Sequence, residues 1–315
     1  MPRAIAVTGA TGFIGAMLIK HLITAGYRVT ALARARSAHK LPQLPGLETV
    51  IGSLQDSESL SRLLQDASAV VHCAGAVRGA TSADFNAANV DGVKQLVQVA
   101  LSQTPRPRFL SLSSLAAREP QLSDYATSKR QGEHTLARMA ADMEWVALRP
   151  PAVYGPGDKE MLPLFQWMGR GIAPLLGEAD ARVSLLYVED LCTAVLCWLD
   201  AGQCRSGIYE LHDTRAGGYS WDEIIADVSA LRARRIIRLP VPATLLRLIA
   251  SVNTTAAQLI GYAPMLTAGK VRELRHRDWV ADNTALTAAI GWQPKFSLQQ
   301  GLQRTMGWSG PGHVA

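Results

Sequence analysis

The chain has 315 residues, of which 48% are hydrophobic and 18% are charged, and its formal net charge is +6. This length fits one large α/β domain, or one such domain with a smaller lobe, and the apolar fraction is sufficient for a sizeable core. The basic residues are scattered and lack the interleaved aromatic residues of single-strand nucleic-acid binding. Solvated helix faces are therefore the better interpretation, and no nucleic-acid partner is expected.

The cysteines form no CxxC pair and have no histidine at metal-ligand spacing; they are Cys73, Cys192, Cys197 and Cys204. This usage is typical of a reduced compartment, so we expect a cytoplasmic protein without a metal site. We also expect neither a signal peptide nor a membrane span. The nearest candidate for a span, Leu239–Val252, contains Arg247, and its pattern favours an amphipathic helix packed on the protein rather than on a bilayer.

Up to about residue 200, short apolar runs alternate with helical patterns, as in repeated βα units. The predicted strands are Ala4–Thr8, Arg28–Ala33, Thr49–Ile51, Ala69–Cys73, Arg108–Ser113 and Trp145–Arg149. The predicted helices between them include Ile14–Ala25, Ser57–Leu64 and Val90–Leu101. Because the strands are nearly solid apolar runs, both faces of the sheet must be covered. The fold class is therefore α/β, a doubly wound parallel sheet of the Rossmann type.

After Arg149 a cluster of prolines and glycines interrupts the regular alternation of strand and helix patterns. A further strand, Leu185–Val188, and a helix, Asp190–Ala201, are predicted before a stretch without clear βα alternation. We therefore expect a dinucleotide-binding domain formed by residues 1–150, with 183–205 returning to it. Residues 151–182 and 206–315 would mainly form a smaller, mixed substrate-binding lobe.

A glycine turn, TGATGFIG at Thr8–Gly15, joins the first strand to the first helix. Gly9 permits a tight turn, Gly12 lets the backbone approach a pyrophosphate, and Gly15 lets the helix pack closely on the sheet. Phosphates would then lie at the helix N-terminus, where free N–H groups and the helix dipole favour negative charge. This context favours a dinucleotide site over a purely structural turn.

The end of the second strand has the sequence ALARARS, with Arg34 and Arg36 and no acidic residue before Glu48. A carboxylate at this place would repel the 2′-phosphate of NADP, whereas a guanidinium binds it in a bidentate manner. The sequence therefore favours NADP, with NAD as the alternative cofactor. In the other interpretation Arg34 stacks on the adenine or faces solvent.

Potential acid–base chemistry is concentrated in SDYATSKRQG, residues 123–132. Tyr125 and Lys129 are one helical turn apart, so the lysine ammonium can stabilise the phenolate and lower the tyrosine pKa towards neutrality. Ser113 and Ser114 follow the apolar run FLSL, where a hydroxyl can orient a substrate carbonyl. The sequence does not fix which serine faces the site. Glu133 is expected on a solvated helix surface.

These segments together resemble the extended short-chain dehydrogenases/reductases of the NAD-dependent epimerase/dehydratase type. The similarity covers nearly the full length and includes GSLQD at Gly52–Asp56, VVHCAG at Val70–Gly75, NVDG at Asn89–Gly92, LRPPAVYGPGD at Leu148–Asp158 and LLYVEDL at Leu185–Leu191. The resemblance implies that Tyr125 is the acid/base, Ser114 orients the carbonyl, with Ser113 as the alternative, and Asn89 organises the site. Lys129 would lower the pKa of Tyr125 and bind the nicotinamide ribose.

The resemblance also implies a path for the cofactor along the sheet edge. Its contacts would be Gly9, Thr11, Gly12, Phe13, Ile14 and Gly15 at the phosphates, Arg34 and Arg36 at the ribose, Ser53 and Leu54 at the adenine, Ala74 and Gly75 below the cofactor, and Pro150 and Val153 near the nicotinamide amide, together with Tyr125 and Lys129. Members of this family often dimerise through a helix bundle that contains the YxxxK helix, so a homodimer is a further expectation.

Nucleotide-sugar members of the family often carry an arginine at the position of Val183, and NAD-using sugar epimerases carry an acid at that of Arg34. We therefore predict an NADP-dependent oxidoreductase acting on a carbonyl or secondary alcohol of a small, fairly apolar substrate. The first alternative is a nucleotide-sugar epimerase or dehydratase with tightly bound NAD(P). The second is a non-catalytic nucleotide-binding regulatory module, against which the complete Ser–Tyr–Lys set argues.

Overall fold

The computed structural model describes residues 3–178 and 180–308. Its strands are β1 (Ala4–Thr8), β2 (Arg28–Ala33), β3 (Leu47–Ile51), β4 (Ala67–His72), β5 (Arg108–Leu112), β6 (Trp145–Arg149), β7 (Ala152–Tyr154), β8 (Ile172–Leu175), β9 (Arg182–Val183), β10 (Leu185–Tyr187), β11 (Gly207–Glu210), β12 (Tyr219–Ser220), β13 (Ile237–Pro240) and β14 (Asp278–Trp279).

The α-helices are α1 (Phe13–Thr24), α2 (Ser57–Leu64), α3 (Ser82–Asn86), α4 (Gly92–Leu101), α5 (Asp124–Met139), α6 (Leu162–Gly169), α7 (Val188–Asp200), α8 (Trp221–Arg232), α9 (Ala243–Ile260), α10 (Ala268–Arg275), α11 (Thr284–Ile290) and α12 (Leu298–Met306). A π-helical turn, Ala87–Asp91, leads into α4, and 3₁₀ turns occupy Ala35–Lys40, Leu115–Arg118 and Pro120–Leu122.

Seven parallel strands form the main sheet, in the order β3-β2-β1-β4-β5-β6-β11. The chain order reverses between β1 and β4, which places a crevice outside the carboxyl ends of these two strands. In open α/β sheets this reversal point is where ligands bind. The predicted fold class, a doubly wound parallel sheet with a smaller C-terminal lobe, is confirmed.

The two faces of the sheet are buried in separate cores. Ile5 and Val7 of β1 join the core beneath α1 and α7, whereas Ala6 joins the core beneath α2, α4 and α5. Alternate residues of a strand point to opposite faces, and here both faces are buried under helices. This explains why the strands of the sheet are solid apolar runs rather than alternating ones.

The boundary of the sheet differs from the sequence-based division in two respects. Residues 207–210, placed in the lobe on sequence, form β11 and pair with β6 at the sheet edge. Conversely, Leu185–Tyr187 pairs with β7 in a separate two-stranded sheet, although the helix that follows, α7, packs on α1 as part of the main domain. The remaining lobe has its own core, built mainly from α6, α8, α12 and the strands β7 and β10.

Asp190, in the first turn of α7, ties the C-terminal segment to the main domain. Its fully buried carboxylate accepts hydrogen bonds from the backbone N–H groups of Lys295 at 2.9 Å and Phe296 at 3.0 Å. Burial raises the pKa of Asp190, and the two backbone donors oppose this effect. The carboxylate thereby satisfies two N–H groups of an irregular segment that leads into α12.

We expect Asp190→Ala to lower the free energy of unfolding by about 3 kcal/mol, because two buried donors lose a charged acceptor. Urea denaturation measures the change. The matched control is Asp142→Ala, whose side chain is 83% exposed and whose removal should change stability by less than about 0.5 kcal/mol. Equal denaturation midpoints for the two variants would contradict the anchoring role of Asp190.

Candidate active site

The glycine turn is packed against the backbone that follows β4. Gly9 has a φ of +70°, and a Cβ there would lie 2.5 Å from both the carbonyl carbon of Cys73 and the nitrogen of Ala74. A Cβ at Gly15 would lie 2.3 Å from the carbonyl oxygen of Gly9. Neither position has room for a side chain, so the turn and the close helix packing predicted for these glycines have a direct steric cause.

Gly12 is exposed and precedes α1, and no side chain of the described residues caps this helix. The first-turn N–H groups of α1 are therefore available to an anion at the crevice. Thr11, Phe13 and Ile14 are partly exposed around the same turn. This cradle fits the pyrophosphate of a dinucleotide, as the spacing of the glycines predicts.

The backbone after β4 forms the floor of the crevice. The N–H groups of Cys73 and Ala74 donate to the carbonyl oxygen and hydroxyl of Thr8, at 3.1 and 3.4 Å. The Thr8 hydroxyl is also 2.7 Å from Nδ1 of His72, a buried histidine whose pKa is lowered by desolvation to about 3. His72 is therefore a neutral core residue. Gly75, by contrast, is exposed at the edge of the sheet.

Arg34 and Arg36 lie at the carboxyl end of β2, and both are exposed. Neither forms an ion pair with any described residue. Ser53 and Leu54 follow the neighbouring strand β3 and are partly exposed. The structure thus brings the residues predicted for the ribose and the adenine to one edge of the sheet.

At the other end of the crevice, Pro150 is buried and accepts a hydrogen bond from the N–H of Leu115 at 2.9 Å. Val153, in β7, lies in the same hydrophobic cluster as Phe13 and Ile14. The segment predicted to meet the nicotinamide therefore packs beside the start of α1.

Ser114 lies close enough to Tyr125 for its side chain to lower the pKa of the phenol. Ser113 points elsewhere: its hydroxyl donates to Oε1 of Glu133 at 2.5 Å. The structure thus brings Ser114, rather than Ser113, to the tyrosine. Tyr125 lies in the first turn of α5, which begins with Ser123 as its N-cap, and Lys129 lies one turn further on.

Glu133 is not on a solvated surface, which corrects the expectation from its position in a helix. Its side chain is 1% exposed and forms a bidentate ion pair with Arg149, both contacts being 2.7 Å. The helix face that carries Lys129 and Glu133 is turned towards the ends of β5 and β6. Because the pair also accepts the Ser113 hydroxyl, it fixes the backbone from which Ser114 emerges.

Asn89 connects three segments around the site. Its side chain accepts from the N–H of Ala76 and donates to the carbonyl of Ala76, both at 3.0 Å, and donates to the Ser128 hydroxyl at 2.9 Å. It sits in the π-helical turn that replaces the predicted start of a helix at Val90. A Cβ at Gly132 would lie 2.2 Å from the carbonyl oxygen of Asn89, so this glycine lets α5 approach the turn. π-turns are frequent at functional sites.

Burial dominates the electrostatics of Lys129 and Tyr125. Lys129 Nζ donates to the carbonyl of Leu112 at 3.0 Å, and desolvation lowers its pKa to about 8. Desolvation raises the pKa of Tyr125 to about 12, with a lowering contribution from Ser114 and a raising one from Glu273. Burial therefore outweighs any effect of the ammonium on the phenol.

A cavity of about 220 Å³ opens beside Tyr125, between the main domain and α9 and α10. Its lining includes Val77, Phe85, Thr254, Met265 and Glu273, with the ring of Phe85 edge-on to that of Tyr125 at 6.1 Å. Glu273 is buried, and it accepts hydrogen bonds from the Ser123 hydroxyl and, at 2.9 Å, from Lys270 Nζ. Sequence reasoning missed Glu273, because the surrounding RELRHR has the pattern of an exposed helix and carries no other signal.

None of the helices in residues 3–178 and 180–308 is both long enough and apolar enough to cross a membrane. The same residues contain no group of three or more His, Cys, Asp or Glu side chains that could hold a metal ion.

Comparison with known proteins supports the resemblance to the NAD-dependent epimerase/dehydratase family. The profile of the NAD dependent epimerase/dehydratase family matches residues 5–211. The chain is 37% identical to ceramide reductase of Caulobacter vibrioides, over 96% of this chain and 93% of that protein. It is 24% identical to UDP-glucose 4-epimerase of Vibrio cholerae, over 97% and 95% of the two chains. The solved structure of MoeE5 in complex with UDP-glucuronic acid and NAD has the same fold, with a TM-score of 0.74, 22% identity and coverage of 97% and 98%.

The chain therefore belongs to the NAD-dependent epimerase/dehydratase family, and it is an NAD(P)-dependent oxidoreductase of the extended short-chain dehydrogenase/reductase type.

Proposed function

We propose that this enzyme uses NADPH to reduce a ketone on an apolar, lipid-like substrate to a secondary alcohol. The observation that carries the proposal is the placement of Tyr125 in the lining of a partly apolar cavity, one helical turn from Lys129 and near enough to Ser114 for that side chain to lower its pKa. Residues 1–150, extended by β11, would hold the cofactor. The cavity wall formed by α9 and α10 would belong to the substrate-binding lobe.

The crevice residues support a cofactor with a 2′-phosphate. The backbone from Gly9 to Gly15 would hold the pyrophosphate, while Arg34 and Arg36, which are exposed and free of ion pairs among the described residues, are available to the 2′-phosphate. Ser53 and Leu54 would flank the adenine; Ala74, Gly75, Pro150 and Val153 would border the nicotinamide half. When bound, the cofactor supplies the hydride.

The chain's own residues would orient the substrate and move the proton. The Ser114 hydroxyl would donate a hydrogen bond to the carbonyl oxygen, and Tyr125 would transfer its phenolic proton to that oxygen as the hydride adds to carbon. The ketone becomes a secondary alcohol, the cofactor is oxidised, and solvent restores the proton to Tyr125. Lys129 would bind the nicotinamide ribose and hold positive charge near the phenol, and Asn89 would keep the Ala76 backbone and α5 in register.

Two relatives with reductase names support an apolar substrate. One is the Caulobacter ceramide reductase, and the other is 2-alkyl-3-oxoalkanoate reductase of Shewanella oneidensis, 26% identical over 95% of this chain and 84% of that protein. Val77, Phe85 and Met265 give the cavity beside Tyr125 a partly apolar wall of the kind that accommodates an alkyl chain.

The alternative is a nucleotide-sugar substrate, as in the name of the related Vibrio UDP-glucose 4-epimerase. Val183 offers no charge to a diphosphate. The adjacent Arg182 is engaged within the fold, where it donates to the carbonyls of Gly217 and Gly218 at 2.7 and 2.8 Å and pairs with Glu223. Positions 182 and 183 thus favour a reductase over a nucleotide-sugar epimerase. The cytoplasmic location and the homodimer stay predictions from the sequence.

Arg34→Ala should weaken NADPH binding about ten-fold and leave NADH binding unchanged, because only NADPH carries the phosphate that the guanidinium would contact. Thermal stabilisation by each cofactor at matched concentrations measures the effect. Arg62→Ala, which removes an exposed arginine from α2, is the control. If both cofactors stabilise the wild type equally and Arg34→Ala changes neither, the NADP assignment is wrong.

Tyr125→Phe should reduce the turnover number by a factor of about 10² to 10⁴ while NADPH still stabilises the protein, because only the proton donor is removed. The assay follows NADPH oxidation with a 2-alkyl-3-oxoalkanoate, an N-acylated long-chain amino ketone and UDP-glucose. Retained turnover in the variant would refute the role of Tyr125. Conversion of UDP-glucose without net cofactor oxidation would instead favour the epimerase.

Glu273→Gln should lower the pKa of Tyr125, because the buried carboxylate contributes to raising it. In the direction of alcohol oxidation Tyr125 must be deprotonated to accept a proton, so activity rises with pH through its pKa. The rising limb of the kcat/KM profile should therefore move to lower pH. Glu58→Gln, on the exposed side of α2, serves as the control. An unchanged limb would show that the charge of Glu273 does not act on the reacting tyrosine.

A further inference from the structure

Helix α9 packs on the protein through a narrow face and leaves a broad apolar face uncovered. Leu246 and Ala250 are buried in a small cluster with Val271 of α10. The uncovered side chains are Leu245 (45% exposed), Leu248 (62%), Ile249 (46%), Val252 (62%), Leu259 (82%) and Ile260 (78%). Most of them recur at intervals of three and four residues, so they form one stripe along the helix. The sequence-based expectation that Leu239–Val252 packs on the protein is thus met by only part of this segment.

Apolar side chains are also exposed on the preceding strand. Ile237 and Leu239 of β13 are 66% and 53% exposed. Single exposed apolar residues need no explanation, but a group of this extent on one helix and the strand before it marks a place of interaction.

Most of the charged residues around this surface are basic. Residues 228–272 contain seven basic residues and no acidic one, against a net charge of +6 for the whole chain, so the remainder of the chain nets −1. The basic residues are Arg232, Arg234, Arg235, Arg238, Arg247, Lys270 and Arg272. Arg238 and Lys270 pair with Asp222 and Glu273 from outside this stretch. Arg235 and Arg247 are exposed and have no ion-pair partner within residues 3–178 and 180–308.

The side of α9 that faces the protein contributes to the lining of the cavity beside Tyr125. Thr254 follows the buried Ala250 by one turn and lines the cavity that contains Tyr125. The loop and helix that follow α9 contribute Pro264, Met265 and Glu273 to the same lining. A single element therefore separates the candidate active site from the exposed apolar stripe.

We propose that α9 and β13 form a docking surface for an anionic lipid bilayer. The apolar stripe would enter the boundary between headgroups and acyl chains, and Arg235 and Arg247 would meet the lipid phosphates. An amphipathic helix with exposed leucine and isoleucine on one side and an exposed arginine in its first half has the chemistry of an interfacial helix. A symmetric second copy fits less well, because it would bring two basic surfaces of the same composition together.

The test is co-sedimentation of the full chain with phosphatidylcholine vesicles, with and without phosphatidylglycerol, at low and high salt. We expect binding to the anionic vesicles, and weaker binding at high salt because the arginine–phosphate attraction is screened. Arg235→Ala and Arg247→Ala should each weaken binding about five-fold. The double variant Leu248→Ser/Val252→Ser should lose binding, since the apolar contribution disappears. Arg62→Ala and Ile51→Ser, exposed residues outside this surface, should bind like the wild type.

Absence of binding to anionic vesicles, or binding that the α9 variants leave unchanged, would overturn the proposal. A dimer in sedimentation velocity that Leu248→Ser/Val252→Ser dissociates would assign the surface to a second copy and overturn it as well. Circular dichroism and thermal unfolding without any ligand show that each variant folds. Failure of the wild type to bind NADPH would count against the proposed cofactor and not against membrane docking, so the two proposals are tested separately.

Discussion

Close backbone contact between the glycine turn and the segment after β4 is the constraint on which the cofactor crevice depends. The sheet reverses its chain order between β1 and β4, and the crevice exists only where the loops leaving these strands diverge. A side chain at Gly9 would meet Cys73 and Ala74, and one at Gly15 would meet Gly9 itself. The absence of two Cβ atoms therefore sets the depth of the crevice and the angle at which α1 leaves it.

The second constraint is the buried ion pair Glu133–Arg149, which holds the backbone next to the site through Ser113. Ser113 and Ser114 are consecutive, and their side chains point to opposite sides of an extended segment. Glu133, paired with Arg149, accepts the Ser113 hydroxyl, and the Ser114 hydroxyl is left on the side of Tyr125. Removing one partner of such a pair leaves an uncompensated charge in the interior, which costs about 3 to 5 kcal/mol. Stability and the position of Ser114 are thus linked through the same carboxylate.

The sheet was largely predictable from the sequence, because strands buried on both faces leave a continuous apolar run between turn residues. The predicted bounds of β1, β2 and β6 agree with the structure. β11 was not predicted, since its four residues, GIYE, form a half-exposed edge strand without a pattern of its own. Glu133 and Glu273 were missed for a different reason. A charged residue in a helical pattern is expected on an exposed face, whereas Arg149, which pairs with Glu133, and Ser123, which donates to Glu273, lie elsewhere in the sequence. The periodicity of α9 likewise identifies an apolar face and not what covers it.

Burial also reverses the order in which Tyr125 and Lys129 lose their protons. An unperturbed tyrosine has a slightly lower pKa than an unperturbed lysine, so in water the phenol ionises first. Here the pKa of Lys129 is about 8 and that of Tyr125 about 12. Because burial disfavours the charged form of each side chain, it opposes a phenolate–ammonium pair at this site.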